Sequence, residues 1–213
     1  MKLCVGNNNM QDVEFIYSNN NYKVAFCRKL ANYNELNKIA SEITIPDFKS
    51  TKRKNEWLTT HFLLKKICKR TVTYSYNKLK KPVLNNENEN ISITHSAKYA
   101  AVIVGKRKKV GIDIEEISSR IHKIAHKFLN ETENKYVSLS DNKTVMLYVI
   151  WCAKESIYKY SDSYLDFPSQ IIINKFKPSA KIINAQIFNN KRIQNVKLHC
   201  KINKEYVLVW IAQ

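Results

Sequence analysis

An α+β fold, with helices laid on antiparallel strands, is predicted for this 213-residue chain by three observations. The first is hydrophobic periodicity that moves between helical and alternating patterns without the regular strand–helix–strand order of a parallel sheet. The second is a C-terminal third of four short apolar runs with polar turns between them, at 170–176, 181–188, 196–202 and 206–212. The third is size and composition. A chain with 44% hydrophobic and 25% charged residues suits one large domain or two small ones with a buried core.

The elements follow in order. Strands are expected at 13–17 and 22–27. A long helix is expected from 49 to about 69, because Trp57, Leu58, Phe62, Leu63, Leu64 and Ile67 recur at helical spacing while lysines and arginines occupy the other face. Residues 71–76 alternate as a strand would. Residues 77–90 read as a polar connection broken by Pro82 and ending in a solvated Asn/Glu run. A hairpin of 91–94 and 99–104 turns near Ser96-Ala97-Lys98, and a second, basic turn leads into a strand at 110–115. That strand is expected to pair beside 99–104. Helices are expected at 120–129 and from about 144 to 160. The basic turn at 106–109 is the expected junction of two halves, 1–108 and 109–213.

Composition excludes several classes. No apolar run approaches the roughly 20 residues that span a bilayer, and the N-terminus carries no signal-peptide h-region. A cytoplasmic protein with no membrane partner is expected. The five cysteines (Cys4, Cys27, Cys68, Cys152, Cys200) are scattered, odd in number and free of C-x-x-C pairs, against a disulfide framework or a structural zinc site. The net charge of +18 favours polyanionic partners. Lysine- and asparagine-rich composition with three glycines also fits a coding bias that leaves the excess lysine as solvated surface, and charge does not separate the two.

Two segments carry candidate chemistry. In Gly111-Ile112-Asp113-Ile114-Glu115 the carboxylates lie at i and i+2, on one face of a strand, with the isoleucines on the other. Like charges so placed repel unless a cation joins them. In Trp151-Cys152-Ala153-Lys154-Glu155-Ser156-Ile157-Tyr158-Lys159 a carboxylate and two lysines sit in an apolar helical run. Each motif has an ordinary alternative, a solvent-facing strand edge for the first and an i,i+4 ion pair for the second. Three carboxylates without a Cys or His cluster suit Mg²⁺ or Mn²⁺, which commonly share their coordination with substrate phosphates. Adjacent lysines suit phosphate chemistry. With three glycines there is no P-loop or dinucleotide fingerprint, so side chains would have to bind any phosphate.

Lys81-Pro82, Ile93-Thr94-His95-Ser96, the Gly111–Glu115 segment, Phe128-Leu129-Asn130-Glu131-Thr132-Glu133 and Trp151-Cys152-Ala153-Lys154-Glu155 occur in one order. That order resembles the Sfp-type 4′-phosphopantetheinyl transferases, and the segment around Glu56-Trp57-Leu58 resembles their N-terminal helix. The resemblance runs from about Lys49 to Lys159. It implies a pseudo-twofold monomer of two similar halves with coenzyme A in the cleft between them. It further implies transfer of phosphopantetheine to a serine of an acidic acyl or peptidyl carrier protein, with release of 3′,5′-ADP. Mg²⁺ would be held by the positions of Asp113, Glu115 and Glu155. Lys154 and Lys159 would contact the pyrophosphate, and Glu155 or Glu133 would act as base. Lys81, Pro82, Thr94 and His95, with Arg53, would hold the adenosine and 3′-phosphate end. The sequence departs from the family at Lys80, where the family has glycine, and Thr94 replaces a more usual serine. The competing expectations are a basic nucleic-acid-binding protein and a carrier-binding scaffold without catalysis.

Overall fold

The computed structural model describes residues 13–29, 33–85, 88–189 and 192–213. The expectations for Cys4 and for the N-terminal segment before residue 13 lie outside them. The first part of the chain supplies β1 (Glu14–Ser18), β2 (Tyr22–Arg28), α1 (Tyr33–Ala40), α2 (Thr51–Cys68), β3 (Tyr74–Tyr76), β4 (Pro82–Leu84), β5 (Glu89–His95) and β6 (Tyr99–Lys106). Its strands form an antiparallel sheet in the order β1-β2-β6-β5-β4-β3. The rest supplies β7 (Val110–Glu116), a 3₁₀ segment (Ser119–Lys127), α3 (Glu131–Ser138), α4 (Lys143–Tyr160), α5 (Phe167–Gln170), β8 (Ile171–Ile173), β9 (Ile182–Asn189), β10 (Arg192–Ile202) and β11 (Tyr206–Ala212). These strands form a second antiparallel sheet, β7-β11-β10-β9-β8.

Period-2 alternation explains how the layers stack. Along β2 and β6, Val24, Phe26, Tyr99, Ala101 and Ile103 face one way, and Ala25, Cys27, Ala100, Val102 and Val104 face the other. The second set packs with Leu58, Phe62, Leu63, Leu64 and Ile67 of α2. The first set meets Val110, Ile112 and Ile114 of β7 and Tyr206, Leu208 and Trp210 of β11. The alternate residues of β11, Val207, Val209 and Ile211, join the core built around α4. The order of layers is therefore helix, sheet, sheet, helix. Strands in the two middle layers are buried on both faces, which is why β6 and β11 read as continuous apolar runs.

Sequence and structure diverge at four places. β7 does not pair beside β6. Both edges of β6 are taken by β2 and β5, so β7 crosses into the second sheet and pairs with β11, Asp113 opposite Val209. β4 lies inside the stretch expected to be loop; Pro82 sits opposite Tyr76 at the start of a three-residue strand. The segment expected as a helix at 120–129 is 3₁₀. α1, α3 and α5 have no counterpart in the sequence reading.

Candidate active site at the β7–α4 corner

Gly111 sets the geometry. A Cβ built there would lie 1.9 Å from the Ser156 carbonyl oxygen and 2.9 Å from the Tyr160 amide nitrogen, so α4 runs against the β7 backbone as only glycine allows. The face that α4 turns to the sheet is correspondingly small. Cys152 and Ser156 lie one turn apart, and the Ser156 hydroxyl donates to the Val209 carbonyl at 3.0 Å. That close approach brings Lys159 onto Asp113, with Nζ 2.6 Å from Oδ1 and 3.0 Å from the Ile112 carbonyl.

The first sheet buttresses Asp113 from the other side. On β5 and the residue that follows it, Ser92, Thr94 and Ser96 recur at every second position. Ser92 Oγ accepts from the Ile112 amide at 3.3 Å, Thr94 Oγ1 donates to Asp113 Oδ1 at 2.8 Å, and Ser96 Oγ donates to Glu116 Oε1 at 3.5 Å. Thr94 is buried. Its hydroxyl, expected at a phosphate, is directed at Asp113.

Asp113 is 4% exposed, and its Oδ2 is buried with no hydrogen-bond partner among the described residues. Glu115 and Glu155 are half-buried beside it. Burial first, and then repulsion from Asp113, push Glu115 up to about 7 against the opposing pull of Lys159 and Trp151. Burial and the Asp113 charge likewise raise Glu155. The three carboxylates therefore feel one another, with one ammonium among them. Among the described residues, no group of three His, Cys, Asp or Glu stands close enough to hold a metal ion as it is.

Lys154 and Glu133 are elsewhere. Both are 0% exposed and bond at 2.7 Å. Lys154 Nζ also donates to the carbonyls of Phe128 (2.7 Å) and Phe167 (2.9 Å), which uses all three of its protons. Glu133 caps α3 with Asn130 in a reciprocal capping box and accepts from the Ile173 amide at 2.8 Å. The two residues expected as pyrophosphate contact and base thus form a buried ion pair away from the carboxylate corner. Helical geometry carried the signal. Residues i and i+5 stand about 140° apart around a helix, so Lys154 and Lys159 leave it on different faces, whereas Glu155 and Lys159 at i,i+4 share one. Asn130-x-x-Glu133 was also legible as a capping box.

A cleft of about 580 Å³ opens beside this corner and spans both sheets. Lys80, Lys81, Pro82 and His95 line it from the first sheet, and Lys109, Tyr158, Lys159 and Ser161 line it from the second part of the chain. His95 Nε2 lies 2.8 Å from Thr60 Oγ1 and 3.2 Å from the Glu56 carbonyl, and burial pushes its imidazole down to about 4. Lys80 has φ 57°, the left-handed conformation in which glycine is at home. Its amide donates to the Asn77 carbonyl, while the Asn77 side chain accepts from the amides of Leu79 and Lys81. Arg53 does not line the cleft; it is exposed on α2 and pairs with Glu56 at 3.3 Å. Lys109, which lines the cleft, had escaped the sequence reading because it was read as part of an exposed turn. No helix among the described residues is long and apolar enough to cross a membrane.

Two antiparallel sheets backed by helices thus place a carboxylate–lysine corner beside a basic cleft. The family model of the 4′-phosphopantetheinyl transferase superfamily matches residues 109–210, just under half of the chain, and includes every residue of the β7–α4 corner. Residues 109–210 are therefore similar to that superfamily. No curated protein matches the chain.

Proposed function

We propose that this protein transfers 4′-phosphopantetheine from coenzyme A to a serine of an acidic apo acyl or peptidyl carrier protein and releases 3′,5′-ADP. The observation that carries this reading is the juxtaposition of Asp113, Glu115, Glu155 and Lys159 at the edge of a lysine-lined cleft, inside the matched region. In the reaction the serine Oγ bonds to the β-phosphorus of coenzyme A, and the bond from that phosphorus to the bridging oxygen breaks. The electron pair leaves with 3′,5′-ADP, and the serine proton passes to a carboxylate. Glu155 is the base. It is half-buried, shares a helix face with Lys159, and keeps one carboxylate oxygen for the proton when the other meets a cation. Lys159 neutralises charge on the transferring phosphate, while Lys81 and His95 hold the 3′-phosphate and adenosine end from the first sheet.

Mg²⁺ (or Mn²⁺) suits Asp113, Glu115 and Glu155, since Asp113 Oδ2 is a buried carboxylate oxygen lacking a partner among the described residues and the other two ligands are hard oxygen donors on adjoining elements. When bound, the ion supplies positive charge for the pyrophosphate. The same reading makes the protein a cytoplasmic monomer of two lobes, 1–108 and 109–213, with the cleft between them.

The test is the mass of an apo carrier protein after incubation with enzyme, coenzyme A and Mg²⁺. A gain of one phosphopantetheine group is expected, and Asp113→Ala or Glu155→Ala should abolish it. No gain on any of several acyl and peptidyl carriers would sink the reading. Without turnover, Mg²⁺ should raise the melting temperature of the wild type and leave that of Asp113→Ala unmoved.

A further inference from the structure

Beyond the β7–α4 corner, the cleft holds an ion-pair arrangement that joins Lys81, assigned above to the 3′-phosphate end, to two residues with no role in that mechanism, Lys109 and Asp162. Asp162 follows α4 on the loop that lines the cleft. One carboxylate oxygen, Oδ2, accepts from Lys109 Nζ, and the other, Oδ1, lies 3.3 Å from Lys81 Nζ. Lys81 also donates to the neighbouring Ser161 carbonyl. Lys81 comes from the turn before β4, Lys109 from the connection between the two sheets, and Asp162 from the end of α4. Three separate stretches of chain are thus joined across the cleft by one carboxylate.

We propose that Asp162 is a built-in anionic occupant of a phosphate seat made by Lys81 and Lys109, and that a phosphate of the incoming ligand displaces it. The chemistry matches on each side. A phosphate offers more charge and more acceptor oxygens than a carboxylate, and two ammonium groups already spaced to hold one carboxylate can hold one phosphate. Displacement is also cheap. The side chains of Asp162 and Lys109 are 60% and 57% exposed, so water and salt screen their pairing. Lys81, at 27%, is the more sheltered member, and its bond to the Ser161 carbonyl keeps it in the cleft after the carboxylate leaves. The hydrogen bond from Lys109 holds the Asp162 carboxyl below the usual carboxylate range, so the occupant is charged at neutral pH. Until a ligand arrives, the carboxylate keeps two like charges from repelling and splaying the cleft.

The inference rests on coenzyme A being the ligand of this cleft, and the test separates the two claims. Binding of coenzyme A and of 3′,5′-ADP is measured by calorimetry for wild type, Asp162→Asn and Lys109→Gln. Asp162→Asn removes the competing charge from an exposed loop and should tighten both ligands about two- to fivefold, whereas Lys109→Gln should weaken them. Unchanged or weaker binding by Asp162→Asn, with wild type binding normally, overturns the displaceable occupant and leaves the transferase reading intact. No binding of either ligand by the wild type overturns both.

Discussion

Lys80 spends conformational energy where a glycine would not. A non-glycine residue held at positive φ costs about 1–2 kcal/mol, offset in part by the greater backbone freedom that glycine loses on folding. Lys80→Gly should therefore stabilise the fold by roughly 0.5–1 kcal/mol, read as a higher melting temperature. The same change removes a cation from the cleft lining and should raise the KM for coenzyme A. A lower melting temperature would show that the turn does not carry this strain. His95 gives a pH signature. Its folded-state pKa of about 4 lies below the ordinary 6.5, so above pH 6.5 it is neutral in both states and contributes no pH dependence. As pH falls from 6.5 towards 4 the unfolded chain binds the proton and the folded one does not, so up to ~3 kcal/mol of stability is lost. His61 and His199, also lowered by burial, add in the same sense. Melting temperatures at pH 7.5 and about 5 should converge for His95→Gln relative to wild type; an undiminished gap would place the proton sink elsewhere.

Two contacts of α4 decide whether the site exists. Gly111→Ala places a methyl into the Ser156 carbonyl and should push the helix off β7, at a cost of roughly 1–3 kcal/mol. Because Lys159 and Glu155 ride on that helix, transfer should fall with stability, and a variant that keeps both would refute the seating of α4 on glycine. On the opposite side of the helix, Lys154→Met strands the Glu133 carboxylate in the core. Losing one member of a buried pair costs about 3–5 kcal/mol. Adding Glu133→Gln removes the stranded charge while keeping one acceptor oxygen, for the amide of Asn130 or of Ile173 but not both, and should recover part of that loss in urea unfolding. If Lys154 met the pyrophosphate, Lys154→Met would instead keep its stability and lose only transfer. The hydroxyl row of β5 makes the complementary point for Asp113, since Ser92, Thr94 and Ser96 tie the first sheet to the edge strand of the second.

The +18 charge acts over longer distances. An acidic carrier protein would be steered to a surface of this sign, which changes encounter rate more than final affinity. kcat/KM for the carrier should fall as salt rises from tens to hundreds of millimolar, while the KM for coenzyme A changes less; a flat response would remove the charge from function. Tight, salt-steep binding of DNA would instead favour the nucleic-acid alternative.

Much of this could be read from the letters. β11 lies where its apolar run placed it, at Tyr206–Ala212, and α2 and α4 follow their apolar spacing to within about two residues. Asp113 and Glu115 share a strand face because that period is local and short, and Ile112 and Ile114 are fully buried on the other. Local patterns carry such facts because backbone geometry repeats every two or 3.6 residues. The strand paired with β7, the duty of Thr94 and the Asp162 bridge between Lys81 and Lys109 were not legible, because each depends on which distant segments meet. Lys154 shows the boundary best. Its letter matched a phosphate-contacting lysine, its angle around the helix already pointed away, and only the packing of Phe128, Phe167 and Glu133 around it showed where its charge is compensated. A buried ammonium must find acceptors wherever the fold supplies them, and folding brought three of them together from Phe128, Glu133 and Phe167.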